Sequence, residues 1–184
     1  MKKERKLYFK EEQKFDQWWL KLLMITVFVA SVIPIIYLAV DQVVFGKVHG
    51  NNPMSNTGII IFTIAIVLII GFSTMLVFLL KLKTEIRNDG IHISFKPFVK
   101  HRFIKKEDIL SWEVRKYNPV KEFGGWGYRF GTKKNGDALN VKGDKGLQLY
   151  LKNFNKKLLI GTQRPDAIKR AMKKLMADTN NEQR

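Results

Sequence analysis

The chain has 184 residues, no cysteine and a formal net charge of +17, with 33 Lys and Arg against 16 acids. That length suits one small domain plus an anchor better than two ordinary domains, and the lack of thiols excludes disulfides, thiolate nucleophiles and cysteine-ligated metals. The charge is uneven: residues 1–21 carry +3 and residues 81–184 carry +14, while between them Lys47 balances Asp41.

The first segment, 1–21, is polar and basic and reads as an N-terminal flank. Phe15, Trp18, Trp19 and Lys21 stand just before an apolar run, and aromatics beside basic residues are what a headgroup boundary favours. Residues 22–40 contain no charge and are just long enough to span a bilayer. Pro34 predicts a kink within that span. A cleaved signal peptide would need a shorter apolar core and a small-residue cleavage site, whereas this run leads into Asp41, Gln42 and bulky Val43 and Val44. Residues 41–58, with Gly46, Gly50, Asn51, Asn52, Pro53, Asn56 and Gly58, read as a connecting loop. Residues 59–80 follow, twenty-two in a row without a charge, sixteen of them Leu, Ile, Val or Phe, ending on Lys81 and Lys83. At about 1.5 Å per residue this is roughly 33 Å of helix, enough for a hydrocarbon core of about 30 Å. Lys and Arg crowd the two outer flanks and leave only Lys47 in the loop, which predicts a hairpin with both termini in the cytoplasm.

After Lys81 the pattern changes to alternation. Leu82–Arg87 and Ile91–Lys96 flank Asn88, Asp89 and Gly90, a strong hairpin signal. Phe103 and Ile104 begin a short apolar piece. Leu110, Trp112 and Val114 alternate with polar residues, and further strands are expected at 126–130, 139–141, 146–152 and 157–160, with Leu147, Leu149 and Leu151 inward. About seven short strands predict a sandwich or small barrel. Pro165 and Asp166 then open an amphipathic helix whose stripe is Ile168, Ala171, Met172, Leu175 and Met176, and residues 178–184 read as a polar tail.

Three segments sharpen this layout: Gly124–Arg129, Asn140–Gly146 and Ile160–Pro165. Together with the hairpin they resemble bacterial membrane-anchored proteins carrying a pleckstrin-homology-like (PH-like) domain, a family of largely unassigned function, over Trp18 to Leu175. The resemblance implies an α+β inner-membrane protein of the multi-pass kind. In it a cytoplasmic seven-stranded antiparallel domain over 81–177 is closed by its C-terminal helix. It carries over no catalytic residues. Asn88-Asp89-Gly90 is short and acidic where phosphoinositide-binding PH domains have a long basic loop, so no inositol phosphate cradle is implied there.

The remaining motifs point away from catalysis. Gly124, Gly125, Gly127 and Gly131 match neither a dinucleotide fingerprint nor a Walker loop. His49, His92 and His101 lack the paired spacing of a metal site and read as surface residues. Glu11-Glu12 and Glu107-Asp108 are sequence neighbours that splay apart among lysines, which suits solvated charge and not a general acid. No Ser, His and acid set suggests a hydrolase. No cofactor and no metal are expected. What remains is a basic module held beside a bilayer, where anionic lipid offers roughly 1 kcal/mol per well-placed cation. Lipid therefore ranks ahead of nucleic acid as counter-charge, with a protein partner or a second copy of the chain as the other occupant; the equal alternative is that the lysines only solubilise the surface and mark the cytoplasmic side. The expected membrane-surface contacts are Lys81, Lys83, Trp18, Trp19 and Lys21, and the expected ligand rim is Trp126, Tyr128 and Arg129. The expected function is a non-enzymatic binding or assembly module; the rival is a membrane-bound enzyme of unrecognised chemistry.

Overall fold

The computed structural model describes residues 6–131, 135–152 and 157–182. It divides into two compact units: Asp16–Leu79, and Met1–Phe15 together with Leu80–Arg184.

The first unit is a pair of packed helices, α1 (Trp18–Phe45) and α2 (Asn56–Leu79). Both are long and apolar enough to cross a membrane. Large apolar side chains such as Leu22, Leu68 and Phe72 are more than half exposed, the reverse of a soluble core helix. The serine hydroxyls are satisfied within the helices, Ser31 donating to the Val27 carbonyl and Ser73 to that of Ile69, as an apolar environment requires. Pro34 lies inside α1 without ending it. The helix also continues past the expected boundary at Val40, through Asp41 and Gln42 to Phe45, and closes on Gly46 at φ 69°. Partners make that extension possible. His49 lies 2.8 Å from the Asp41 carboxylate, and Gln42 donates to the Met54 carbonyl and to Asn56 Oδ1, so two buried polar side chains carry no desolvation debt.

The second unit holds nine strands among the described residues: β1 (Leu7–Lys14), β2 (Lys81–Arg87), β3 (Gly90–Lys96), β4 (Val99–Lys105), β5 (Ile109–Lys116), β6 (Gly127–Arg129), β7 (Asp137–Asn140), β8 (Lys145–Leu151) and β9 (Lys157–Gly161). They form a four-stranded sheet, β1-β2-β3-β4, and a five-stranded sheet, β5-β8-β9-β7-β6. The barrel expectation is therefore corrected. Among the described residues there are two sheets and no closed barrel, and β7 runs parallel to β9 in the second.

The N-terminal flank is the larger correction. Residues 7–14 form a strand that pairs antiparallel with β2 across the whole hairpin, Lys14 opposite Lys81 and Glu11 opposite Thr84. Its inward residues are Phe9, Glu11 and Gln13. Two of the three are polar, so no hydrophobic alternation marks the strand in the sequence. Their polarity is matched from the far end of the chain. Thr162 Oγ1 and the Gln163 N–H donate to the Glu11 carboxylate at 2.6 and 2.8 Å, and Gln13 donates to the Gly161 carbonyl at 2.8 Å. Glu11 and Glu12 do splay to opposite faces, but Glu11 is buried, not solvated.

The Asn88-Asp89-Gly90 hairpin forms as read, with Arg87 facing Gly90. Gly90 has φ 146°, and a Cβ there would stand 2.2 Å from the Ile104 carbonyl oxygen, so no other residue fits. Leu82, Ile86, Ile91, Ile93, Phe95, Leu147, Leu149 and Ile160 fill the space between the sheets. Helix α4 (Pro165–Glu182) lays Ile168, Ala171, Met172 and Leu175 on that core, fully buried. It runs to Glu182, so part of the expected polar tail is helix. Asn118 caps the short helix α3 (Pro119–Phe123), and Pro119 is its first residue. Asn118 Oδ1 accepts from the Val120 and Lys121 N–H groups, while Glu122 reaches back to the Asn118 N–H, a reciprocal cap. Gly124, at φ 71°, ends that helix, which is the use of the glycine cluster that a nucleotide reading would have misplaced.

Candidate functional site

The first sheet buries one face and leaves the other charged, as an antiparallel sheet can. On its outer face three lysines line up in register at one end, Lys14 opposite Lys81 and Lys81 opposite Lys96. That end is also where the helices join. α1 begins four residues after Lys14, and α2 ends two residues before Lys81.

A groove of about 530 Å³ crosses the outer face of β2, β3 and β4. Strand β2 contributes Lys83, Glu85 and Arg87; β3 contributes His92, Ser94 and Lys96; β4 contributes Lys100, His101 and Phe103. With Asp89 from the β2–β3 turn, four permanent cations face two carboxylates. The acids are already engaged. Glu85 is pinned between Lys83, at 2.8 Å, and the guanidinium of Arg87. The hydrogen bond from Lys83, reinforced by Arg87 and opposed by burial, holds the Glu85 carboxyl below its usual range. Asp89 accepts from His92 Nε2 at 3.0 Å. The side chains of Lys96 and Lys100 have no hydrogen-bond or ion-pair partner among the described residues, so the positive surplus sits beside the β3–β4 turn, at the sheet end marked by Lys14, Lys81 and Lys96.

His92 is the centre of the floor. Its Nε2–H donates to Asp89, which leaves Nδ1 to accept from His101 Nε2 at 3.1 Å, and its ring stacks on Phe103 with centroids 4.5 Å apart. His92 on a strand and His101 nine residues later have no sequence spacing that announces a pair. The pairing of His92 with Phe103 across β3 and β4 brings them together. Asp89, His92 and Ser94 also share the groove, yet both nitrogens of His92 are occupied and the Ser94 hydroxyl bonds to neither imidazole. The geometry is not that of an activated serine. Among the described residues no group of three or more His, Asp or Glu is placed to hold a metal.

The residues singled out from sequence fall in several places. Lys81 is paired with Glu12 at 2.8 Å and Lys83 with Glu85, so neither is an uncommitted cation. The Lys81 hydrogen bond, helped by Lys14, also lowers the Glu12 carboxyl below its ordinary value. Trp18, Trp19 and Lys21 are exposed in the first turn of α1. The expected rim does not share one face. Trp126 lies just ahead of β6, partly exposed, and donates to the Gly143 carbonyl at 3.1 Å. Tyr128 packs against the core beside Phe95 and Phe130. Arg129 turns back to the Trp126 carbonyl. None of the three belongs to the groove, and the groove's own Lys96, Lys100, His92 and His101 were not grouped by sequence reasoning.

A family model described as a family of unknown function (DUF6141) matches residues 1–178. No curated protein and no solved structure matches the chain.

Proposed function

We propose, on the premise that this chain belongs to the family of unknown function DUF6141, that it is a non-enzymatic integral membrane protein. In this reading its basic two-sheet domain is a binding module at the face of its own bilayer, and anionic lipid is the counter-charge. One observation carries the reading. The hairpin α1–α2 is inserted between two strands that pair with each other, so both of its ends join the same end of two neighbouring strands, at the row Lys14, Lys81 and Lys96. A hairpin inserted in this way leaves and re-enters the membrane on a single side, and it ties a lysine-rich sheet end to that side. The positive-inside asymmetry makes that side the cytoplasm, with both termini there and the loop around Asn52 outside. The resemblance to membrane-anchored PH-like proteins of the bacterial inner membrane supports the same placement.

The enzyme reading has the Asp89–His92–His101 chain in its favour, since linked imidazoles can move a proton. It lacks a partner for them: the Ser94 hydroxyl bonds to neither imidazole and, among the described residues, no group of three or more His, Asp or Glu is placed to hold a metal, so the binding reading is preferred.

Two measurements test the proposal. A reporter active only outside the cytoplasm should stay silent when fused after Arg184 and be active when inserted near Asn52. The purified full chain in mixed lipid and detergent should then enrich anionic over neutral phospholipid, less so as salt rises, because the Debye length falls from about 10 Å at 0.1 M to about 3 Å at 1 M. The reverse reporter pattern overturns the topology. Equal recovery of neutral and anionic lipid at low salt overturns the lipid partner and leaves a protein partner or self-assembly as the occupant.

A further inference from the structure

We propose that the groove across the outer face of β2, β3 and β4 is a headgroup site that takes the phosphate of an anionic phospholipid, with Lys96 and Lys100 as the receiving cations and the linked His92 and His101 rings lining the groove beside them. The inference rests on the membrane-module reading and assigns to it a particular site.

Lys81 and Lys83, the cations nearest the helices in sequence, are spent on Glu12 and Glu85, and Lys14 lies 3.5 Å from Glu12. Lys96 and Lys100, on either side of the β3–β4 turn, have no such partner among the described residues and line the same groove. A phosphate oxygen is the hard, strongly hydrated acceptor that an unpaired ammonium favours. His92 and His101 line the same groove and are linked to each other at 3.1 Å, so their rings report on what it holds. The groove is polar and open to solvent, unlike the apolar, enclosed cavities that suit drug-like ligands, and its volume of about 530 Å³ accommodates a headgroup.

Position selects lipid over a dissolved phosphate. Lys96 pairs in register with Lys81, and Lys81 stands two positions after Leu79, the last residue of α2. Two residues span at most about 7 Å. The free cations thus stand at the sheet end that is tethered to the apolar helices, where headgroup phosphate is present at high local concentration and a soluble ligand has no such advantage. The exposed Phe98 in the turn between the two lysines adds an apolar side chain that suits the same boundary.

The chain has three histidines, so selective labelling of the imidazole rings reads the site directly. The full chain is placed in nanodiscs of phosphatidylcholine alone or of phosphatidylcholine with phosphatidylglycerol. The ring signals of His92 and His101 should shift in the second, while His49, in the loop between the helices, should not. Lys96→Gln with Lys100→Gln should weaken the response, by about fivefold in the lipid fraction required for each lysine lost, while Lys96→Arg with Lys100→Arg keeps it. Both lysines are exposed, and unchanged thermal unfolding shows that the variants still fold. Equal shifts on adding inorganic phosphate to neutral discs would assign the groove to a soluble phosphate and overturn the lipid source. Still histidine signals, together with continued enrichment of anionic lipid by the full chain, would overturn the groove and leave the module reading standing. Loss of that enrichment as well would overturn both.

Discussion

Glu11 shows how much one residue can decide. It is a buried carboxylate on a strand whose hydrogen bonds come from residues about 150 positions away, Thr162 and Gln163, so it ties the first strand to the segment that leads into α4. Hydrogen bonds to a charged group contribute about 1.5–3 kcal/mol each. Glu11→Ala should therefore destabilise the domain by about 3 kcal/mol, read as a lower thermal unfolding midpoint of the full chain. Glu11→Gln, which can still accept one bond, should lose less; equal losses would show that packing and not charge matters there. Glu85 gives a pH prediction. Lys83 first, then Arg87, depress its folded pKa below the ordinary 4.5, so as the medium is acidified the unfolded chain takes up the proton first. The stabilisation is present above the unfolded value and is lost as pH falls through the folded one. Stability measured from pH 6 down to about pH 3 should decline, and Glu85→Gln should flatten that decline; an unchanged slope would remove Glu85 from the acid response.

At the scale of elements, α4 behaves as its stripe predicts. Ile168, Ala171, Met172 and Leu175 recur at helical spacing, and all four are buried against strands of both sheets. Burying a side chain of this size contributes roughly 1.5–3 kcal/mol, and an unpaired carboxylate in its place costs several more. Ile168→Asp or Leu175→Asp in the full chain should abolish cooperative unfolding of the sheets, since a domain has only about 5–15 kcal/mol in total. Retention of the unfolding transition in both variants would mean that the helix is not part of the core. Strand β1 shows the opposite legibility. Its inner positions read Phe9, Glu11 and Gln13, a pattern that resembles a solvated segment until its partners at Gly161, Thr162 and Gln163 are in place.

For the whole molecule, the insertion of the helices between paired strands makes a concrete demand on any soluble form. A chain that starts near Lys83 lacks β1, and with it the Glu11 and Gln13 bonds, so it should fail to fold. Replacing Asp16–Leu79 by Asn-Gly should succeed. Lys14 and Lys81 are already opposite each other, Phe15 and Leu80 both pack on the core, and Asn-Gly is the preferred two-residue hairpin connection. A soluble product with a single cooperative transition, beside an insoluble truncation, is the expected result. The same outcome for both would mean that β1 is dispensable.

Continuous apolar runs, hairpin turns and a 3.6-residue stripe are local signals, and the sequence by itself determined what rests on them: two helices long enough to span a membrane, the Asn88-Asp89-Gly90 hairpin, the inward Leu147, Leu149 and Leu151, and the buried face of α4. Each follows from the period at which one stretch of chain must alternate between two environments. Only the tertiary structure decided the rest. It made the N-terminal flank a strand, because a polar inner face is tolerated when donors arrive from the other end of the chain. It set nine strands in two sheets among the described residues, where about seven in a sandwich or small barrel are expected, because pairing such as β7 with β9 is set by contacts distant in sequence. It also assembled the groove, since His92 and His101 meet by strand register, and whether a lysine is free or spent depends on the acid that folding sets beside it.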